Sequence, residues 1–312
     1  MLSFVLSISI YDKVKMTEQY IDVKGIRIAY DQFGDVSHPA IVLIMGLGTQ
    51  MISWPEIFCQ GLADKGYRVL RFDNRDIGLS SKMHDSKIPG LMKIMLYAKL
   101  GLTAQVPYKL IDMANDAVGL MDGLNIEKAH IIGASMGGMI AQLMAAHYPQ
   151  RTLSLTSIMS TSGRRSLPGP SIKILWQMAK RSATNEEAHL DNAMQLWALI
   201  GSPNYLPAPQ ELRERIRINY RRSYYPPGYI RQVAAIAASG DRVELLKKVT
   251  APTLIIHGLA DPLVPAKCGI DTAELIPNAQ LELIDGMGHD LPQPLLPKFI
   301  DLINSYALNP AH

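Results

Sequence analysis

Between residues 40 and 46 the chain reads AIVLIMG without a polar interruption. A strand with one face in water alternates apolar and polar residues, so an unbroken β-rich run predicts a strand covered on both faces. Comparable runs recur as YRVLRFD (67–73), KAHIIGA (128–134), TLSLTSIMST (152–161), APTLIIHG (251–258) and AQLELID (279–285). Only the start alternates: QYIDVKG and RIAYDQFG, hinged at Gly25, predict an antiparallel hairpin. Between the buried runs lie helical patterns such as EIFCQGLADKG, closed by Gly66, and the amphipathic YKLIDMANDAVGLMDGLN.

Strands that alternate with helices predict an α/β fold, a mostly parallel central sheet with helices on both faces. The alternation stops near Gly163. From there to about residue 247 only helical segments follow: PSIKILWQMAKRSA, NEEAHLDNAMQLWALIG, PQELRERIRINYRRSYY and PGYIRQVAAIAASG. Proline or glycine ends each of them. The strands then resume, with helices expected at about 266–276 and 295–307. The expected organisation is a core from residues 16–163 and 248–312 with an all-helical cap inserted over 164–247. Residues 1–15 are expected to be disordered or an upstream extension, because Met16 with TEQYIDVKG reads as the more natural start.

Composition narrows the class of function. With 312 residues, 48% of them apolar, the chain can bury a large α/β core. A net charge of +3 with no concentrated basic stripe argues against nucleic acid as the main partner. The two cysteines, Cys59 and Cys268, form no CxxC and no metal-ligand spacing, which fits a reducing compartment. No run reaches the length of a stable membrane span. The apolar N-terminus lacks a basic n-region and an A-x-A cleavage site, so a cytoplasmic protein is expected.

The candidate chemistry centres on GASMGG, residues 133–138, where a buried strand gives way at once to a helix. Gly133-x-Ser135-x-Gly137 at such a junction predicts a nucleophile elbow, a tight turn that presents Ser135 at the sheet edge. The free N–H groups of the helix N-terminus point toward it. A serine needs a base, and the base needs an orienting acid. Asp261 lies in the loop after LIIHG, and His289 in the loop after LELID. In a parallel sheet both loops share the carboxyl edge with Ser135, and the order Ser…Asp…His suits the fold. Each partner has a plainer reading, Asp261 as a turn former before Pro262 and His289 as a solvated loop residue. Rivals for the base are His257, read as structural, and His147, read as a packing or surface residue; Asp285 is the alternative acid. The amide of Met136, directly after the serine, is a candidate oxyanion donor, and the Leu47 amide in Gly46-Leu47-Gly48 is favoured as the second. The arginines of ELRERIRINYRRSYY are expected to form a solvated face with i,i+4 ion pairs to Glu211 and Glu214. The apolar stretch 87–108 is expected to pack under the cap, to line an acyl pocket or to meet lipid.

IMGLG…SWP, RFDNRDIGLS, GASMGG, HGLADPLVP and GMGHDLP, which span residues 20 to about 305, resemble an α/β-hydrolase-fold serine hydrolase. Within that superfamily the chain is similar to the aclacinomycin methylesterase-like group. The resemblance implies Ser135 as nucleophile, His289 as base, Asp261 as acid, a helical cap and no metal or organic cofactor. It departs at Met45-Gly46, where many relatives carry His-Gly. Asp73-Asn74-Arg75-Asp76 resembles the family's strand-end turn and is read as scaffolding. The expected function is hydrolysis of a small to medium carboxylic ester through an acyl-enzyme. Lactone, amide or carbon–carbon hydrolysis, perhydrolysis, and a non-catalytic receptor stay open as alternatives. Epoxide and haloalkane chemistry need a carboxylate where this chain has Ser135. Physiological substrate and oligomeric state are not written in the sequence.

Overall fold

Lys24 and Gly25 both hold positive φ, 48° and 84°, and join β1 (Gln19–Val23) to β2 (Ile26–Phe33) with Val23 paired to Ile26. A two-residue turn of this handedness matches the twist of the strands it joins. The computed structural model describes residues 18–86, 90, 94, 97, 105–180, 183 and 185–307. The 1–15 extension and most of the 87–108 stretch lie outside these.

Six further strands follow: β3 (Ala40–Ile44), β4 (Arg68–Phe72), β5 (Ala129–Ala134), β6 (Thr152–Ile158), β7 (Thr253–Gly258) and β8 (Gln280–Ile284). Their order in the sheet is β1-β2-β4-β3-β5-β6-β7-β8; β1–β2 and β2–β4 are antiparallel and the remaining pairs parallel. The helices are α1 (Glu56–Asp64), α2 (Leu110–Gly123), α3 (Met136–His147), α4 (Ile172–Ala179), α5 (Glu186–Ile200), α6 (Pro209–Arg222), α7 (Pro226–Ser239), the single turn α8 (Val243–Leu246), α9 (Lys267–Leu275) and α10 (Leu296–Leu302). A π-helical turn, Ile303–Ala307, continues α10.

The unbroken apolar runs have the cause expected of them. Along β3, Ala40, Val42 and Ile44 enter one core cluster with α2 and α3, while Ile41 and Leu43 enter another with Trp54, Phe58 and Leu62. Period-two geometry sends alternate residues to opposite faces, so a sheet covered on both sides needs apolar residues at every position. Between β6 and β7 the chain is helical, α4 to α8, with no strand among the described residues. No helix there or elsewhere among the described residues is long and apolar enough to cross a membrane.

The arginine-rich helix α6 departs from expectation. Only Arg217 pairs along its own helix, with Glu214 at 2.6 Å. Arg213 reaches Glu187 and Asp191, and Arg217 and Arg221 reach Glu186, so the pairs stitch α6 to α5. Glu211 makes no ion pair among the described residues. Arg222 turns inward to Asp73, 2.8 Å away, and to Glu18. Sequence spacing registers neighbours on one helix and is blind to a carboxylate carried by the next.

Candidate functional site

Strand order reverses around β3, since β4 lies on one side of it and β5 on the other. In an open α/β sheet the crevice forms at that switch, at the carboxyl ends of the strands. Ser135 follows β5 there and takes φ 56° and ψ −120°. A non-glycine residue in this region is strained by about 1–3 kcal/mol and persists only when its surroundings over-determine it. Here they do. The Ser135 N–H donates to the Ile158 carbonyl at 2.9 Å, and the Ser135 carbonyl accepts from the Gly138 amide and from Ser160 Oγ. Gly133 and Gly137 are required by contact: a Cβ on Gly133 would lie 2.1 Å from the Gly137 carbonyl oxygen. One on Gly137 would lie 2.0 Å from that of Ile44, so α3 can touch β3 and β5 only through glycine.

His289 Nε2 lies 2.9 Å from Ser135 Oγ, and His289 Nδ1 lies 2.7 Å from Asp261 Oδ2. Three loops distant in sequence thus meet as one chain of hydrogen bonds. Asp261 is buried, and its other oxygen accepts the Leu263 and Val264 amides at 2.9 and 2.8 Å. That leaves Oδ2 directed at the imidazole, which selects the tautomer with the proton on Nδ1 and a free lone pair on Nε2.

The rivals fall elsewhere. Asp285 is exposed. His257 is fully buried and donates from Nε2 to the Val264 carbonyl at 2.7 Å, with Asp261 Oδ2 at 3.7 Å. Burial pushes its pKa down, which keeps it neutral beside the acid. It braces the 261–264 turn and does not touch Ser135. His147 ends α3, away from the serine end of that helix.

The Gly46–Gly48 turn is held on several sides. Asn74 Nδ2 donates to the Met45 carbonyl at 2.9 Å, Thr49 Oγ1 to the Gly46 carbonyl at 2.8 Å, and the Gly48 N–H donates to Gln232 Oε1 at 2.9 Å. A Cβ on Gly46 would lie 3.1 Å from Ser135 Cβ, so the turn runs directly against the serine. Among the described residues, neither the Leu47 nor the Met136 amide has an acceptor. Met136 opens α3, where the first N–H groups have no intrahelical partner. Two amide donors and a serine–imidazole–carboxylate chain are what an acyl transfer needs.

Several supporting groups escape sequence reasoning. The end of α5 seats the histidine loop: the His289 N–H donates to the Ile200 carbonyl at 2.7 Å, and the Gly288 N–H to Ser202 Oγ at 2.8 Å. Ser202 also binds Asp290 through its hydroxyl and, at 3.1 Å, its amide. Burial pushes the Asp290 pKa up, against the pull of these bonds. Asp290 follows His289 directly, and the only signal for it was the HD pair itself. On the other side Asp76, at φ 71°, binds Arg231 of α7 through both oxygens (2.7 and 2.8 Å) and Tyr108. Burial alone would raise the Asp76 pKa, but Arg231, the Met83 amide and Tyr108 hold it below the usual carboxylate value. Arg231, a charged residue inside the apolar YIRQVAAIAA, is the visible trace of this contact.

The model of the alpha/beta hydrolase fold family matches residues 39–183. The chain is 28% identical to the rhodomycin D methylesterase of Streptomyces peucetius, over 83% of this chain and 87% of that one. It is 24% identical to 3-oxoadipate enol-lactonase 2 of Acinetobacter baylyi, over 85% and 87%. Among solved structures it resembles the meta-cleavage product hydrolase from Pseudomonas fluorescens IP01, with a TM-score of 0.73 and 22% identity over 94% of this chain and 98% of that one.

Proposed function

We propose that this chain, which has the α/β-hydrolase fold, is a serine hydrolase of carboxylic esters. The observation that carries the reading is the continuous Ser135–His289–Asp261 contact, 2.9 Å and 2.7 Å long. Ser135 Oγ attacks the ester carbonyl while His289 Nε2 takes its proton. Asp261 holds the imidazole in register and stabilises the imidazolium. The Leu47 and Met136 N–H groups bind the oxyanion. His289 then returns the proton to the departing alcohol, and a water deprotonated by the same imidazole releases the acid and restores Ser135. The helices of 164–247 act as a cap that shapes the substrate pocket. Similarity to a methylesterase supports the ester bond as the target. An imidazole within hydrogen-bond reach of a strained serine favours catalysis over a receptor built on this fold.

The test is turnover of activated aryl esters of graded acyl length by wild type and Ser135→Ala. Wild type should hydrolyse at least one, and the variant should fall by about 10⁴-fold or more. Folded protein inactive on every ester would overturn the reading. Lactone and carbon–carbon substrates assayed in parallel place the ester rate against its alternatives.

A further inference from the structure

We propose that Gln232 is a positioning residue for the oxyanion-binding turn, so that the helical segment contributes to the rate of the chemical step as well as to the choice of substrate. The inference rests on the serine-hydrolase reading above. Gln232 sits on α7, far from any sequence motif, and is completely buried. Its carboxamide makes two bonds into the core. Oε1 accepts the Gly48 N–H at 2.9 Å, and Nε2 donates to the Arg75 carbonyl at 3.0 Å.

The support behind that carboxamide is rigid. The neighbouring Arg231 is locked to Asp76 through two bonds. Gly228, a turn earlier on α7, lies so close to the 75–76 backbone that a Cβ there would stand 2.0 Å from the Asp76 carbonyl oxygen. Arg75 is itself fixed from below by Asp116 of α2 at 2.6 Å. Gln232 therefore reaches the oxyanion turn from an anchored helix and not from a mobile lid.

Within Gly46-Leu47-Gly48 the amides of residues 47 and 48 lie on adjacent peptides, joined at the Leu47 Cα. Engaging the Gly48 N–H on Gln232 fixes the Leu47–Gly48 peptide, next to the one that carries the Leu47 N–H, and the Leu47 N–H has no protein acceptor among the described residues. An unmet donor on a restrained loop is the preorganisation that stabilises charge as it develops. Removing the Gln232 acceptor leaves the Gly48 N–H without its protein partner and frees that peptide to turn. Ground-state binding makes little use of the oxyanion donors, so the loss should appear in turnover.

The experiment compares wild type, Ser135→Ala, Gln232→Met and Gln232→Glu on the best aryl ester. Methionine matches glutamine in length and offers neither bond. Glutamate keeps an acceptor for the Gly48 N–H in either protonation state. For Gln232→Met, kcat should drop by about 10- to 100-fold with KM within about threefold. Affinity for a trifluoromethyl ketone analogue, which forms the tetrahedral oxyanion, should fall by the same factor as kcat/KM, while that for the matching methyl ketone holds. Gln232→Glu should recover most of the loss. If the methionine variant does not fold, Gln232→Asn, one methylene too short to span both partners, should show the same split. Unchanged kcat in folded Gln232→Met or Gln232→Asn, or a loss confined to KM, overturns the inference and leaves the serine-hydrolase reading intact. An inactive wild type overturns both.

Discussion

At the scale of single residues, Ser135 combines in one position a strained backbone and the hydroxyl proposed as nucleophile. They can be separated by comparing two variants that both lack the hydroxyl. Ser135→Gly releases the backbone at φ 56°, whereas Ser135→Ala keeps the Cβ that makes it costly. The glycine variant should therefore be the more stable by about 1 kcal/mol in urea unfolding, with both inactive. Equal stabilities would mean that the turn relaxes without its serine. His257 shows the opposite economy: it stands 3.7 Å from Asp261, and burial pushes its pKa down. Its Nε2–H is committed to Val264, whose amide in turn holds the carboxylate in place.

At the scale of elements, the close approach of α3 to β3 is bought entirely with missing side chains. Gly137→Ala would drive a methyl group into the Ile44 carbonyl. It should destabilise the fold by about 3 kcal/mol, because the obstacle is backbone and cannot step aside. The seat of α7 offers a second measurement. Arg231→Met strips the buried Asp76 of its cation and should cost about 3–5 kcal/mol, whereas Arg231→Met combined with Asp76→Asn should recover part of that. These elements differ in how far the sequence discloses them. The strands could be read because burial on both faces leaves an apolar signature at every position, and the serine turn because a glycine cluster at a strand–helix junction needs a geometric reason. The contact of Ser135, His289 and Asp261 could be anticipated because a parallel sheet gathers its strand ends on one edge. Gln232, Ser202 and the cross-helix pairs of Arg213 and Arg221 could not. Each depends on which helix lies beside which, and no local pattern encodes that.

At the scale of the whole molecule, burial of neutral imidazoles sets an acid limit on stability. His130, on the central strand β5, has its pKa pushed down to about 4 from the ordinary 6.5 by burial, with Nδ1 against Ser154 Oγ at 2.9 Å. Between those values the unfolded chain binds a proton that the folded chain refuses. The His130 contribution is therefore complete above about pH 6.5, declines as the pH drops, and levels off below about 4. Wild type should lose about 2 kcal/mol more than His130→Asn between pH 7.5 and 5 in denaturant titrations. Identical pH slopes would show that His130 is not the group responsible. The helices of 164–247 do more at the crevice than cover it. They reach it from both flanks, through Ile200 and Ser202 on the histidine loop and through Gln232 and Arg231 on the other. A segment tied in this way is no interchangeable cartridge. A chimera that borrowed it from another protein of this fold would, with the same cut, lose the groups that hold these two loops. On the reading proposed above, substrate range and chemical competence would be inherited together.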